Sequence, residues 1–217
     1  MTVHDMPVPA DVAQADAQRT RSGRLKMLAL LLVCTAPVLA SYFTYYVLRP
    51  QGTGRQYGEL IQPTRDLPDV PAHDLQGQER PLRSLKGQWL LVAVAPAQCD
   101  APCQQNLYFQ RQLREVLGKD KDRLDRVWLI SDDAPVPPAL LPALSQAQVL
   151  RVAAPVLQAW LQPAPGHALE DHLYLVDPMG NWMMRFPASM DVSSASKAKR
   201  DLERLMRASS SWDQAGR

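Results

Sequence analysis

No Gly-rich phosphate loop, no Gly-x-Ser-x-Gly turn and no helical His-Glu-x-x-His pair occurs in this sequence, so nucleotide-driven and hydrolytic chemistry have no residues to stand on. An excess of charge is missing too. Lysine and arginine number 24 against 22 acidic residues, a net of +2, and no dense Lys/Arg stripe stands out beyond the flank of the apolar segment. Nucleic acid is therefore not expected as a partner. There is no internal repeat, and 217 residues with 46% hydrophobic content have room for one ordinary domain plus a short appendage. Glycine is scarce beside proline, ten against nineteen. The prolines cluster at 63–71, 135–142 and 155–165, which predicts rigid loops there.

What is present begins with one long apolar run. Residues 1–24 are short of large apolar side chains, mix Asp5, Asp11 and Asp16 with Arg19, Arg21 and Arg24, and are predicted to be a disordered cytoplasmic tail. Residues 25–48 are almost wholly apolar and end in Tyr42, Phe43, Tyr45 and Tyr46, an aromatic belt of the kind found at a headgroup boundary. As a helix the run rises about 36 Å, enough for a hydrocarbon core of about 30 Å. Pro37 is compatible with insertion. Arg19, Arg21, Arg24 and Lys26 precede the span and only Arg49 and Arg55 follow closely, so the positive-inside rule puts residues 49–217 outside the cytoplasm. A cleaved signal peptide is the competing reading, although the run is longer than an h-region and lacks a clear small-residue cleavage site.

Residues 49–71 read as a linker, 72–210 as a folded α/β domain and 211–217 as a C-terminal tail. Trp89 to Val94 and Val127 to Ile130 are continuous apolar runs of strand length, as central strands covered on both faces require. His172 to Val176 and Trp182 to Phe186 flank the turn sequence Asp177-Pro-Met-Gly-Asn181 and predict a hairpin. Pro102 to Leu117 predicts a helix with Leu107, Leu113, Val116 and Leu117 on one face, stopped by Gly118. A second helix, about 194–209, turns Leu202, Leu205 and Met206 inward. Strand, helix, strand, helix, hairpin, helix is the order of a thioredoxin-like fold.

Three cysteines are present. Cys34 lies mid-span, a small apolar residue in a membrane helix. Cys99 and Cys103 instead follow a strand and open a helix, with Asp100 as a possible N-cap and Pro102 in the first turn. Their spacing can put both sulfurs on one side of that turn, where unpaired N–H groups favour thiolate. Three readings stay open: a disulfide that staples the loop, thiol–disulfide exchange, and a soft metal site, since two thiolates select Cu(I) and a nearby imidazole would extend the site to Cu(II). Cys99 is expected to be the exposed, more reactive sulfur, and Cys103 the resolving or second ligand.

Around these residues the chain resembles the Sco/SenC family of cytochrome c oxidase assembly proteins, and more closely the thioredoxin-like transmembrane proteins of proteobacterial oxidase biogenesis. The resemblance rests on Tyr57-Gly-Glu-Leu-Ile, Leu82-Arg-Ser-Leu-Lys-Gly-Gln-Trp89, Cys99-Asp-Ala-Pro-Cys103 and Tyr174-Leu-Val-Asp-Pro-Met-Gly180. It implies a single-pass protein of the inner membrane with its soluble domain in the periplasm. It further implies copper held by the two cysteines and one histidine, for delivery to the copper site of oxidase subunit II or to other assembly factors. The chain would then be a metallochaperone rather than an enzyme. Its alternatives are a thiol-disulfide oxidoreductase that keeps target cysteines reduced, with Cys99 and Cys103 as the redox pair, and a non-catalytic scaffold. Two positions depart from the family pattern: Gln104 replaces the usual proline after the second cysteine, and Leu169 stands where the copper histidine is found. His172, near the hairpin start, is the expected replacement ligand, with His167 in the preceding loop as the other candidate. His4 and His73 lie outside any constellation. Met179, Met183, Met184 and Met190 are soft donors too, but on a hairpin they more often fill a core. Asp132-Asp133 is expected to cap or solvate a loop.

Overall fold

The computed structural model describes residues 9–48 and 56–212, which fall into two units. The first is one long helix, α1 (Pro9–Phe43), continued by a π-helical turn over Thr44–Leu48. Helix therefore reaches sixteen residues into the stretch 9–24 that was expected as a disordered tail, while residues 1–8 lie outside the described ones. The reason is propagation: Ala, Gln and Arg are good helix formers, and extending an existing helix fixes one residue per added hydrogen bond. Within α1, Gly23–Tyr46 has a mean hydropathy of 1.9 and is long and apolar enough to cross a membrane, a test that a signal sequence also passes. Its two threonines are satisfied internally: Thr35 donates to the Leu31 carbonyl at 2.9 Å and Thr44 to that of Ala40 at 2.8 Å. Neither carries an open hydrogen bond into an apolar phase.

The second unit is built on an eight-stranded sheet in the order β1-β8-β7-β4-β5-β6-β2-β3. The strands are β1 (Glu59–Asp66), β2 (Pro71–Asp74), β3 (Glu79–Pro81), β4 (Trp89–Ala95), β5 (Leu124–Ile130), β6 (Ala147–Arg151), β7 (Leu173–Val176) and β8 (Asn181–Arg185). β4, β5 and β6 run parallel, and every other neighbouring pair is antiparallel. The helices are α2 (Ala101–Glu115), α3 (Ala154–Trp160) and α4 (Val192–Ala208).

Alternation along β4 produces both layers. Trp89, Leu91, Ala93 and Ala95 join a core with Phe109 and Leu113 of α2 and with Leu202 and Met206 of α4. Leu90, Val92 and Val94 join the opposite core with Leu157 and Trp160 of α3. All seven β4 residues are buried, which is why its sequence is a continuous apolar run. Val116, expected on the buried face of α2, is exposed, because the helix stops at Glu115 and Val116 is its C-cap.

The proposed linker 49–71 is corrected where it is described: residues 59–66 form the edge strand β1, paired with β8. Pro63 masks the strand in the sequence pattern. A proline is tolerated on an edge strand, and the pairing register shifts between Leu60 and Arg65, so no ladder donor is missed at Pro63. The proline clusters at 135–142 and 155–165 are likewise partly helical, with Pro138 and Pro155 in first turns, where the absent N–H is harmless.

The hairpin turn is closed by Asp177, whose Oδ1 accepts the Asn181 N–H at 2.8 Å and whose carbonyl accepts the Gly180 N–H at 2.9 Å. Gly180 sits at φ +98°, and a Cβ there would collide with Lys86, which is paired to Asp66 at 2.8 Å. Gly180→Ala is expected to destabilise the domain by about 1–3 kcal/mol, the usual range for a strained backbone position. Urea unfolding checks this, with the midpoint falling at unchanged slope.

Candidate functional site

The site is made where β4 ends and α2 begins. After Ala95 the chain turns through Pro96 to Cys99. The Cys99 N–H donates to the Pro96 carbonyl at 3.1 Å, and the Ala97 N–H donates to Asp132 Oδ1 at 3.0 Å, so Asp132 caps this loop as expected. Cys99 adopts φ +43°, a left-handed conformation that folds its side chain back over the helix start. Asp100 is the N-cap and accepts the Cys103 N–H at 3.1 Å, with Pro102 in the first turn. Cys99 and Cys103 are thereby joined as a disulfide, their Cα atoms 5.1 Å apart.

Both sulfurs lie below the surface. Cys99 is 1% exposed and Cys103 3%, which corrects the expectation that Cys99 is the exposed sulfur. The left-handed turn tucks Cys99 into the core shared by α2 and α4, while its neighbours Gln98, Asp100, Ala101 and Pro102 face solvent. The pair is thus one residue layer deep.

Several glutamines that carry no sequence signature hold this arrangement. Gln104 Nε2 donates to the Cys99 carbonyl at 3.0 Å, where the family pattern has a proline with no side-chain donor. Gln105 Nε2 donates to the Met190 carbonyl at 2.9 Å, tying α2 to the loop before α4. Gln110, fully buried, donates to the carbonyls of Leu91 at 2.5 Å and Val127 at 2.8 Å, which fixes α2 over β4 and β5. Only the distance between elements in the fold reveals these roles.

His172 does not join the cysteines. It is 1% exposed, and both of its ring nitrogens are committed. Nδ1 lies 2.9 Å from the Phe186 carbonyl and must carry the proton to donate to it, while Nε2 accepts the Ala164 N–H at 3.1 Å. The reading of His172 as a copper ligand is corrected on that ground: ligation would break either the buried hydrogen bond to Phe186 or the part-buried one from Ala164. His167, half-exposed, pairs with Asp171 at 3.2 Å and stacks edge-on against His172 at 5.4 Å. Leu169 is buried in the opposite core, on the α3 side. Among the described residues no three His, Cys, Asp or Glu side chains are grouped as metal ligands. Met190 and Met184 are buried in the same core as the cysteines, Met183 packs against it, and Met179 is exposed in the turn. His73 lies on β2, paired with β3 and β6, and His4 lies outside the described residues.

Burial lowers the pKa of His172, and Arg185 and His167 push the same way, against the Phe186 hydrogen bond and Asp171. The folded state thus binds this proton less readily than the unfolded chain, whose value is 6.5. Its contribution to stability is complete above that pH and is lost as pH falls below it, by at most about 1.4 kcal/mol per pH unit. Urea unfolding across this range should show the loss in the wild type and a flatter profile in His172→Gln.

What the site can do chemically follows from its donors. Two sulfurs facing each other at one helix start interconvert between disulfide and dithiol, and the dithiol suits a soft, two-coordinate Cu(I). Among the described residues no imidazole is grouped with the two sulfurs to complete a Cu(II) site.

Three comparisons place the chain among known proteins. The model of the family described as the transmembrane-like, thioredoxin-like, C-terminal domain matches residues 89–209. No curated protein matches the sequence. Among solved structures, apo Sco1 from Thermus thermophilus superposes with a TM-score of 0.52 at 16% identity, covering 71% of this chain and 99% of that one. Yeast Sco1 with copper bound superposes at 0.50 with 14% identity, covering 72% and 96%. At such identities the likeness is one of fold: mixed α/β, thioredoxin-like, with one N-terminal apolar helix here that can span a membrane.

Proposed function

We infer, since this chain belongs to the transmembrane-like, thioredoxin-like C-terminal domain family, that it is a membrane-anchored dithiol protein of cytochrome c oxidase assembly which carries Cu(I) on Cys99 and Cys103. The observation that carries this reading is the pair itself: two sulfurs within bonding reach at the first turn of a helix that follows a central strand. The motif resemblance around Cys99-Asp-Ala-Pro-Cys103 supports oxidase assembly, and the shared fold with a copper-bound yeast protein supports the cargo. Gly23–Tyr46 serves as the anchor in the inner membrane, with the domain in the periplasm, where a disulfide can form. The receiving partner is the copper site of oxidase subunit II.

In this reading a dithiol reductant opens the disulfide and is itself oxidised to a disulfide, and the two thiols give up their protons to solvent as the sulfurs take one Cu(I) as thiolates. Asp100 keeps the turn folded, and the Gln104 hydrogen bond holds Cys99 in place. Transfer to a partner requires the thin cover of residues 98–102 to give way. The oxidised pair takes no copper, so reduction gates loading.

The disulfide also favours a second reading, in which the reduced pair passes its electrons to a cysteine pair of subunit II. One experiment separates the two. The full chain in detergent, reduced and anaerobic, is titrated against a Cu(I)-chelating dye and separately incubated with an oxidised subunit II peptide. One Cu(I) per chain without peptide reduction is expected. Peptide reduction that depends on Cys99, with no copper uptake, would falsify the copper reading.

A further inference from the structure

α4 presents two unlike faces. Ala198, Asp201, Leu202 and Met206 are buried, whereas Lys197, Arg200, Arg204 and Arg207 are exposed. At 100° per residue these four cations fall within an arc of about 80° on the helix surface. In linear sequence no dense basic stripe is visible, because Asp201, Glu203 and the apolar residues interrupt it. The helix removes that interruption. Asp201 is turned inward and Glu203 is paired with Lys199 at 3.4 Å, off the basic arc. Just beyond the helix end Trp212 is 47% exposed, while Trp89, Trp128, Trp160 and Trp182 are all buried.

The second observation is a tether. Asp201 Oδ2 accepts the N–H groups of Tyr57 at 2.6 Å and Gly58 at 2.9 Å, and Lys197 Nζ lies 5.9 Å from the Tyr57 ring centroid. The chain therefore enters the domain on α4. Only about ten residues separate Tyr57 from the end of the apolar span at Tyr46, a reach of at most about 40 Å even fully extended. A basic helix face flanked by an amphipathic indole, on a leash this short, matches a negatively charged headgroup layer.

We propose that the Lys197–Arg207 face of α4, together with Trp212, lies on anionic phospholipid headgroups of the membrane that anchors the chain. Such docking would hold the domain at the bilayer surface, in reach of a membrane-embedded partner. The inference rests on Gly23–Tyr46 being an anchor rather than a removed signal sequence.

The test uses the full chain reconstituted in phosphatidylcholine vesicles, with or without phosphatidylglycerol, each carrying a spin-labelled lipid that quenches indoles at headgroup depth. The buried tryptophans are shielded, so the signal reports Trp212. Quenching at least about twofold stronger in the anionic vesicles is expected, because each cation near such a surface adds roughly 1 kcal/mol of attraction. High salt should abolish the difference, and so should Lys197→Gln with Arg200→Gln and Arg207→Gln, three exposed changes checked for folding by circular dichroism. Equal quenching in both vesicle types, or a difference that survives salt, overturns the proposal, as would a surface that engages an acidic protein alone. Flotation after alkaline carbonate treatment tells the two failures apart. A chain that floats without selective quenching sinks this proposal only, and one that does not float sinks the anchor.

Discussion

Cys99→Ser or Cys103→Ser, made singly, is expected to lower the Cu(I) affinity of the reduced chain by about 10²–10⁴-fold. The two sulfurs belong to one short turn with Cα atoms 5.1 Å apart, so once the first holds the ion the second binds intramolecularly at high effective concentration. A hydroxyl is too hard a donor to substitute for either. Competition with a Cu(I)-chelating dye measures the loss directly. His172→Gln is expected to leave that affinity unchanged, because both ring nitrogens are engaged with Phe186 and Ala164. A marked fall in that variant would restore the three-ligand site. The disulfide contributes little as a staple: closing a loop of five residues is worth about 2 kcal/mol in the chain-entropy model. If the double serine variant supports oxidase maturation as well as the wild type in a complementation assay, neither copper nor redox chemistry is its role and the scaffold reading gains.

The second large effect concerns Asp201. Its carboxylate is buried, accepts two backbone N–H groups from the chain entering the domain, and lies 3.9 Å from the Arg204 guanidinium. Asp201→Ala leaves the donors of Tyr57 and Gly58 without a partner and a small void against α4. Hydrogen bonds to a charged group are worth about 1.5–3 kcal/mol each, and an unsatisfied buried donor costs about 1–3 kcal/mol. A total loss of about 3–5 kcal/mol is therefore expected, read as a fall in the urea midpoint. Asp201→Asn should recover part of it, since its carbonyl oxygen can still accept. The start of the domain should also become protease-sensitive in Asp201→Ala, because the latch joins positions more than 140 residues apart in sequence.

Much of this was legible before any coordinates. Trp89–Ala95 had to be a doubly covered strand, because an unbroken apolar run of that length has no polar face to show to water. Asp177-Pro-Met-Gly-Asn181 had to turn, since its glycine takes a positive φ and its aspartate closes the loop on itself. Asp100 as N-cap and Pro102 in the first turn followed from local geometry alone. The cysteine pair was legible for the same reason: its chemistry lies within five consecutive residues.

What was not legible depends on contacts distant in sequence. β1 hid behind Pro63, because edge pairing with β8 is decided more than a hundred residues away. His172 looked like a ligand, yet its nitrogens are claimed by Phe186 and Ala164 from two other segments. Cys99 looked exposed, yet packing against the α2 and α4 core buries it.

By itself the sequence determined the apolar span, the two doubly covered central strands, the hairpin turn and the cysteine pair at a helix start, because each is set by a period, a cap or a spacing within about twenty residues. Tertiary structure alone decided how deep the sulfurs lie, that both nitrogens of His172 are taken, where the chain is latched to α4 and that scattered cations share one face. Those are properties of burial and proximity, and they exist only once the sheet has brought its distant segments together.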